Sequence, residues 1–297
     1  MDDGIQINMQ SVNIHIKGII IKLIYNMIPK VSIITVCYNC HSIIKDTCMS
    51  VLSQTYQDYE YIIVDGASKD RTCEIIEEVR CLADAMNVPF QVVSERDKGV
   101  YDAMNKGARM AKGEYVLYMN AGDFFYSENA LENLCFGLHE GVDILYGDTE
   151  MNFNWGKIVN KPQYPTIEEP MPFIHQSCLT RRALLLDYPF DLSYKIIADH
   201  NLYYQLKVNN AVFNYVPTIV SLYDAREGIS ANNPYWQYIE HAKIHGYDKQ
   251  WWYPFRRLYY LVRFGLQMRI KKVIPKNLND KIERKRREKL FNAMAKL

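Results

Sequence analysis

The sequence predicts an α/β protein in which helices flank a mostly parallel β-sheet. The first observation is a continuous β-branched run, Val31–Cys37, of the kind found in strands that are buried on both faces. The second is a regular alternation of strand-like and helix-like segments up to residue 119. Repeated units of strand, loop and helix pack as parallel strands with helices on the faces of the sheet.

Seven elements are predicted in the first half of the chain. The second helix has an apolar stripe of Ile75, Ile76 and Val79, and Gly113 comes just after the third helix. The strands are predicted at Val31–Cys37, 59–64, Phe90–Ser94 and 115–119, and the helices at 43–52, around 75–79 and at 99–111.

The pattern loosens after Asp123. We expect Thr180 to cap a short helix, and residues 162–172 form a proline-rich connection. Further strands are predicted at 142–146, 157–160 and 212–216, and further helices at 180–187, 197–208 and Pro234–Ile244.

Composition and charge exclude several classes of protein. With 297 residues, 48% hydrophobic and 13% aromatic, the chain is neither disordered nor fibrous. The net charge of +1 hides an uneven distribution. From Gln250 onward, 14 Lys or Arg residues face 3 Asp or Glu residues, which leaves 21 basic and 31 acidic residues in the rest of the chain. The body is therefore weakly acidic and the tail strongly basic.

Cysteines and apolar runs point to a reduced, non-spanning chain. The 7 cysteines are odd in number and scattered, which fits neither a disulfide framework nor a zinc set and favours the cytosol. The nearest approach to a membrane span, residues 14–28, is short and interrupted by Lys17 and Lys22. The role of residues 1–29 is left open between a surface segment and a natural start at Met27.

Polar side chains follow the predicted strands where each one ends. Ligands of open α/β sheets bind beyond the carboxyl ends of the strands, so the sequence predicts a ligand site at this edge. The residues at these ends are Tyr38, Asn39, Asp65, Arg96, Asp97, Lys98, Asn120 and Asp123.

Six segments, taken in order, resemble glycosyltransferase family 2 over roughly residues 30–232. The resemblance implies a GT-A (Rossmann-like) fold and sugar transfer from a nucleotide donor. The segments are VSIITVCYN (31–39), SQTYQDYEYIIVDGASKDRT (53–72), SERDKGVYDAMNKGARMAKGEYVLYMNAGDFF (94–125), FIHQS (173–177), IIADHNL (196–202) and REGIS (226–230).

The resemblance implies a nucleoside site. Tyr38 and Asp65 correspond to residues that hold the base and ribose, and Asp97 and Lys98 lie where the family completes this site. Arg226 lies on a loop expected over the diphosphate, since an arginine fork suits phosphate oxygens. The alternatives are a Tyr38 ring packed on the strand end, a turn-forming Asp65 and a solvated Arg226.

The segment 120–123 occupies the place of the family's metal-binding aspartate motif. Asn120 replaces the first acid, so it is assigned to the donor site and Asp123 remains the only charged ligand for Mg²⁺ or Mn²⁺. One carboxylate can suffice when substrate phosphates and water complete the coordination. The alternative is that Asp123 caps a helix near Ser127.

Asp199 in IIADHNL corresponds to the family's general base, which accepts the proton of the acceptor hydroxyl. Direct displacement by that hydroxyl inverts the anomeric carbon, as the resemblance implies. His200 is a competing candidate, and Asp199 could instead cap the helix that begins there. His175 and Gln176 resemble a pair at which acceptor and donor sugar meet, against the alternative of a buried histidine with a backbone partner.

Two further features stand apart from the resemblance. His241 and His245, four residues apart on a predicted helix, could form half of a metal site, but no third ligand is evident and an ordinary helix face is favoured. Residues 251–274 combine an apolar stripe, interfacial aromatics and bases, which is typical of a helix on an anionic membrane surface. The alternative is a helix packed on the catalytic domain, and the basic run alone does not indicate a nucleic-acid partner.

Together these features predict three parts: residues 1–29, a GT-A catalytic domain at 30–232, and a helical, basic, membrane-associating extension at 233–297. The expected activity is inverting transfer of one hexosyl or N-acetylhexosaminyl unit from a UDP-sugar. The expected acceptor is a lipid-linked saccharide in surface polysaccharide synthesis at the cytoplasmic face of the membrane. The alternative is an inactive nucleotide-sugar-binding or scaffolding protein. Absence of a glycine-rich first loop disfavours dehydrogenases and nucleotidyltransferases, and absence of a QxxRW motif disfavours processive synthases.

Overall fold

In the computed structural model, which describes residues 29–225, 233–275, 278 and 280–286, four strands form a parallel sheet. All residues of β1, β2 and β4 are buried, as the continuous apolar runs predict. The strands lie in the order β3-β2-β1-β4. Their bounds are β1 Val31–Cys37, β2 Tyr59–Asp65, β3 Phe90–Ser94 and β4 Tyr115–Tyr118.

Three helices cover the two faces of this sheet. They are α1 (Ile44–Leu52), α2 (Thr72–Ala85) and α3 (Val100–Met110). Neighbouring β1 residues point to opposite faces, so Ile33 packs in the core under α1 and α2, whereas Ile34 packs under α3. The absence of a side chain at Gly107 lets α3 lie close to the sheet, since a Cβ at this position would lie 2.5 Å from Ile34.

The second half of the sheet is mixed. Antiparallel β8 joins β4 to β6, β9 runs parallel to β6, and β5 and β7 pair antiparallel with β9 and β6. Both β6 and β9 are longer than the sequence predicts, because their pairing continues through an irregularity near Asp148. The bounds are β5 Phe124–Phe125, β6 Ile144–Phe153, β7 Gly156–Asn160, β8 Cys178–Arg181 and β9 Phe213–Asp224.

The remaining helices are α4 (Ala130–Cys135), α5 (Arg182–Asp187), α6 (Ala198–Val208), α7 (Pro234–Ile244) and α8 (Tyr253–Val273). The predicted cap at Thr180 is wrong. Thr180 lies in β8, where its buried hydroxyl is 2.9 Å from that of Tyr203, and α5 begins only at Arg182. Strand pairing on both sides of β8 holds Thr180 in the sheet.

Helix α7 is joined to the start of α6 by one buried carboxylate. Glu240 of α7 accepts backbone N–H bonds from Lys195, Ile196 and Ile197 at 2.7, 3.0 and 3.0 Å. These groups lie at the beginning of a helix, where backbone donors lack helical partners and the dipole favours negative charge. The first helix of the predicted extension therefore supports the helix that carries Asp199.

Helix α8 has many exposed apolar side chains. Within the described residues, no helix combines the length and apolar character needed to cross a bilayer. The predicted segment 1–29 lies outside the described residues except for its last residue. The exposed apolar residues of α8 are Phe255, Leu258, Tyr259, Leu261, Val262, Leu266, Ile270 and Val273.

Candidate active site

Asp199 lies in the first turn of α6, with a side chain that is 18% exposed. The Tyr101 hydroxyl of α3 is 3.3 Å from Asp199 Oδ1, and the N–H of His200 donates to the same oxygen at 2.9 Å. The other oxygen, Oδ2, is 3.4 Å from Nδ1 of His175. Asp199 is thus oriented by neighbours from two other parts of the chain and remains accessible to solvent.

His175 bridges Asp199 and Asn120. Its Nε2 lies 3.1 Å from Nδ2 of Asn120, and its Nδ1 faces Asp199. If the Asn120 amide donates to Nε2, the ring proton lies on Nδ1 and points at the carboxylate. The side chains form one chain of contacts from the end of β4 to the start of α6.

The ionisation of Asp199 follows from these contacts. Burial raises the pKa of its carboxyl group, but the hydrogen bond and charge of His175 and the N–H of His200 outweigh burial, so the net pKa is below its ordinary value. Burial raises the pKa of the Tyr101 hydroxyl far above its usual range, so Tyr101 stays a neutral donor. Asp199 is therefore ionised at neutral pH and able to accept a proton.

Asp123 is buried, with 8% of its surface exposed. Its Oδ2 accepts a hydrogen bond of 2.6 Å from Nε2 of Gln176. Burial raises the pKa of Asp123 to about 6, the contacts with Gln176 and His175 oppose this rise, and the negative charge of Asp224 adds to it. No helix begins directly after Asp123, since α4 starts at Ala130.

Two amide oxygens, on residues that are hydrogen-bonded to Asp123, favour a hard cation. Oδ1 of Asn120 and Oε1 of Gln176 are buried and have no hydrogen-bond partner in the described part of the chain. Carboxylate and amide oxygens are the ligands that Mg²⁺ and Mn²⁺ prefer. Asp123 with these two amides therefore fits the divalent ion that the motif at 120–123 implies, although Asn120 replaces an acid.

The His175–Gln176 pair connects the two acids of the site. The pair lies on the short 3₁₀ turn that precedes β8, where His175 contacts Asp199 and Gln176 contacts Asp123. Five predicted site residues are brought together in this way: Asn120, Asp123, His175, Gln176 and Asp199.

A second group of predicted residues surrounds Gly66. A side chain at Gly66 would meet Oδ2 of Asp97 at 2.6 Å and the ring of Tyr38 at 3.3 Å, so both residues converge on the loop after β2. The Tyr38 ring is 58% exposed rather than packed on the strand end. Asp97 Oδ1 accepts the N–H of Gly99 at 2.9 Å, and Lys98 is exposed.

Asp65, predicted to hold the base and ribose, ends β2 with a carboxylate that is hydrogen-bonded within the chain. Its side chain has 0% exposure, and its oxygens accept hydrogen bonds from Ser68 and Ser94 and contact Cys37 and Cys73. Burial raises the pKa of Asp65, but the hydrogen bonds from Ser68 and Ser94 lower it by more. The net pKa is below its ordinary value, so the carboxylate is held as an anion. Asp65 therefore orders the loop after β2 through Ser68 and joins it to the end of β3 through Ser94.

Sequence reasoning missed three residues, and a fourth that it did predict is not described by the structure. Tyr101 lies within a quoted motif but received no role, whereas Asp224 and Glu240 act on Asp123 and α6 only through tertiary contacts. The only signal in the sequence for any of the three was a tyrosine at the start of α3, whose hydroxyl can donate a hydrogen bond. Arg226 lies outside the described residues.

Residues 32–183 match the family model described as Glycosyl transferase family 2. The chain belongs to this family. The match covers β1 to the start of α5 and includes the polar strand ends and the His175–Gln176 turn. The predicted family and the predicted GT-A fold are both confirmed.

Two curated relatives extend this result. A PGL/p-HBAD biosynthesis glycosyltransferase of Mycobacterium bovis is 31% identical over 209 residues, which cover 68% of this chain and 79% of the relative. A Bacillus subtilis glycosyltransferase, TuaG, which is assigned to teichuronic acid biosynthesis, is 28% identical over 159 residues, or 52% of this chain and 62% of TuaG.

A solved structure supports the fold. Residues 1–349 of S. aureus TarS in complex with UDP-GlcNAc superpose with a TM-score of 0.54 and 21% sequence identity. The similarity covers 68% of this chain and 60% of the TarS chain. At this identity the comparison concerns the fold alone.

Proposed function

We propose that this chain is an inverting glycosyltransferase that moves one sugar from a UDP-sugar to a hydroxyl of a saccharide. The observation that carries the proposal is the contact chain from Asn120 through His175 to Asp199, which lies beside the buried carboxylate of Asp123. A hexosyl or N-acetylhexosaminyl donor is supported by the UDP-GlcNAc bound to TarS, which has the same fold.

Asp199 acts as the general base. The acceptor hydroxyl transfers its proton to the Asp199 carboxylate while its oxygen forms a bond to the anomeric carbon. The bond from that carbon to the diphosphate breaks, and its electron pair leaves with the diphosphate oxygen. His175 and Tyr101 keep the carboxylate oriented during this displacement, which inverts the anomeric centre.

Asp123, Asn120 and Gln176 form the ion and diphosphate side of the site. Their oxygens would hold Mg²⁺ or Mn²⁺, which when bound supplies Lewis-acid stabilisation of the charge on the leaving diphosphate. The hydrogen bond from Gln176 keeps Asp123 in one orientation. Gln176 thus supports the ion site. His175, which contacts Asp199, lies nearer to the proposed acceptor.

The nucleoside is proposed to lie over the loop after β2. The exposed ring of Tyr38 offers a stacking surface, and Asp97 and Lys98 lie at the neighbouring strand end. Arg226, which follows β9, is proposed to reach the diphosphate, since β9 ends at Asp224 and the charge of Asp224 acts on Asp123.

The acceptor is proposed to be a lipid-linked saccharide in surface polysaccharide synthesis. This is supported by the relative in teichuronic acid biosynthesis and by the exposed apolar and basic residues of α8. Helix α8 would lie on the cytoplasmic face of the membrane as a peripheral contact and place the catalytic edge near a lipid-linked substrate. Residues 233–297 would then have two roles, since α7 supports α6 and α8 contacts lipid.

Replacing the base tests this function. Asp199→Asn keeps the shape of the side chain but cannot accept the proton, so we expect transfer or hydrolysis of UDP-glucose or UDP-GlcNAc to fall by about 10²–10⁴-fold. UDP binding should persist, since Asp199 does not contact the nucleoside side. Single-turnover release of UDP in the presence of Mn²⁺ is the measurement, and Asp187→Asn, an exposed acid at the end of α5, is the control.

Two outcomes would contradict the proposal. Near-normal turnover by Asp199→Asn would remove Asp199 from the role of base. A wild-type chain that binds UDP-sugars tightly but releases no UDP would instead favour the inactive binding protein, the function that the replacement of an acid by Asn120 supports.

A further inference from the structure

Three histidines meet on the side of α6 that faces α7. His200 lies on α6, His241 on α7, and His245 directly after α7. One ring nitrogen from each comes within 4.8 Å of the other two. The ring centroids of His241 and His245 are 4.4 Å apart, and that of His200 lies 5.3 and 5.8 Å from them.

This arrangement corrects the expectation that His241 and His245 lack a third ligand. His200 is distant in sequence but adjacent in space, because Glu240 holds α7 against the start of α6. It also removes His200 from competition as the base, since its ring lies against the other two histidines while the neighbouring Asp199 contacts His175.

Two nitrogens of this cluster lack partners. Nε2 of His200 and Nε2 of His245 are buried without a hydrogen bond to any described residue. A buried polar atom without a partner is destabilising, and native proteins keep few of them. Two tyrosine rings also lie against His245, with the centroids of Tyr204 and Tyr247 at 5.0 and 5.6 Å from its own. The two nitrogens are therefore available to a ligand that accepts electron pairs.

The imidazoles are in the form that binds metal. Burial, together with the charge of His241, lowers the pKa of His200 to about 4, against the opposing effect of Asp199. Burial also lowers the pKa of His241 and His245. Neutral imidazole is the form that coordinates transition metals.

We propose that His200, His241 and His245 bind one divalent transition-metal ion of the zinc type. Three histidines leave one coordination position for water in a tetrahedral site, with Zn–N distances of about 2.0–2.1 Å and therefore N···N separations of about 3.4 Å. The observed limit of 4.8 Å is within about 1.5 Å of that value, which side-chain rotation can supply. The negative charge of Glu168 acts on His245, so an acid near the cluster favours a bound cation.

This site differs from the one at Asp123 in chemistry and in place. Nitrogen ligands select zinc, copper or nickel, whereas the oxygens of Asp123, Asn120 and Gln176 select Mg²⁺ or Mn²⁺. A bound ion would join α6 to α7 at the residue that follows Asp199. Because the ion binds the folded chain and not the separated histidines of the unfolded chain, it would also stabilise this junction.

The test uses the metal-stripped full-length chain and Zn²⁺ itself. We expect Zn²⁺ to raise the unfolding temperature at one equivalent, and Co²⁺ to give the visible absorption of a tetrahedral nitrogen site. His241→Gln and His245→Gln should each weaken zinc binding by more than the roughly 10–100-fold lost on removing an outer-shell partner. His139→Gln, an exposed histidine outside the cluster, is the matched control, and Asp123→Asn should retain the zinc site.

Several results would overturn the proposal. Zinc affinity that is equal in wild type, His241→Gln and His245→Gln, or that is lowered equally by His139→Gln, would place the ion elsewhere. X-ray absorption of the zinc-loaded wild type needs no variant, and a first shell of oxygen or sulfur in place of imidazole nitrogen would also refute it. Absence of any shift with Zn²⁺ would also refute the proposal and leave a cluster of packed imidazoles without a metal. None of these readouts depends on glycosyl transfer, so the inference fails or stands apart from the proposed function.

Discussion

Asp123 shows at the residue scale how a functional carboxylate opposes stability. Its pKa of about 6 in the folded chain lies above the unfolded value of 3.8, because burial disfavours the charged form. Between these two values the folded state binds more protons than the unfolded state, so stability falls as pH rises and the full cost is present above pH 6. The shift corresponds to a cost on the order of 3 kcal/mol.

Asp123→Asn should therefore stabilise the chain while it removes activity. The amide keeps an oxygen for Gln176 but carries no charge, so the unfolding temperature should rise by several degrees at pH 8 and change little at pH 4. Metal-dependent turnover should fall by about 100-fold or more, because the ion supplies several kcal/mol of charge stabilisation.

Thermal unfolding at the two pH values and UDP release with Mn²⁺ are the measurements. In the wild type, the apparent affinity for Mn²⁺ should decline as pH falls below about 6, where a proton competes for Asp123. This account would be contradicted if Asp123→Asn were less stable than the wild type at pH 8 while the two were equally stable at pH 4.

At the scale of elements, the active site depends on the packing of α7 against α6. Glu240 binds three backbone N–H groups just before α6, and Asp199 lies in the first turn of that helix. Removing one carboxylate oxygen leaves a buried N–H donor without its acceptor, which costs more than a surface hydrogen bond is worth. Glu240 therefore acts as a positioning residue for Asp199.

Glu240→Gln should lower stability by about 1–3 kcal/mol and reduce the turnover rate more than it reduces UDP binding, because Asp199 moves while the nucleoside side stays in place. Chemical denaturation, single-turnover UDP release and UDP titration measure the three effects. The control is Glu78→Gln, in an exposed ion pair with Lys45, which should change stability by less than about 0.5 kcal/mol. Equal losses in turnover and UDP binding would indicate a general structural role instead.

At the scale of the whole molecule, basic residues and exposed apolar side chains are both concentrated in the C-terminal region. The region from Gln250 onward contains 14 of the 35 basic residues and 3 of the 34 acids, and α8 exposes apolar side chains along much of its length. Contiguous exposed apolar surface marks an interaction site. The combination with bases such as Arg256 and Arg263 is complementary to an anionic lipid surface.

The full-length chain should bind vesicles that contain anionic phosphatidylglycerol and should not bind vesicles of phosphatidylcholine alone. Raising the salt concentration should weaken binding, since each base near the surface contributes about 1 kcal/mol. Replacing both Leu258 and Leu266 on α8 with Glu should abolish cosedimentation, whereas Phe136→Glu, at an exposed site far from α8, should not. Lipid-free dimers that the double variant converts to monomers would favour self-association of α8 in place of membrane binding.

Much of the candidate site was predictable because its residues follow recognisable local patterns. Continuous apolar runs end at polar residues, so the sequence alone assigns Tyr38, Asp97, Asn120 and Asp123 to one edge of the sheet. Asp65 was assigned to the same edge, but its full burial depends on Ser68 and Ser94, and Ser94 reaches it only through the pairing of β2 with β3.

What the sequence alone determined is the parallel first half of the sheet, its helices and the residue types at the strand ends, because periodicity and turn chemistry act over a few neighbouring residues. It did not predict α4, or the short strands β5 and β8, which are fixed by their neighbours in the sheet. Only the tertiary structure decided that Tyr101 and His175 orient Asp199, that Asp224 raises the pKa of Asp123, and that His200 meets two histidines of α7. These relations join residues far apart in the chain, and they arise from strand register and helix packing, which no local pattern specifies.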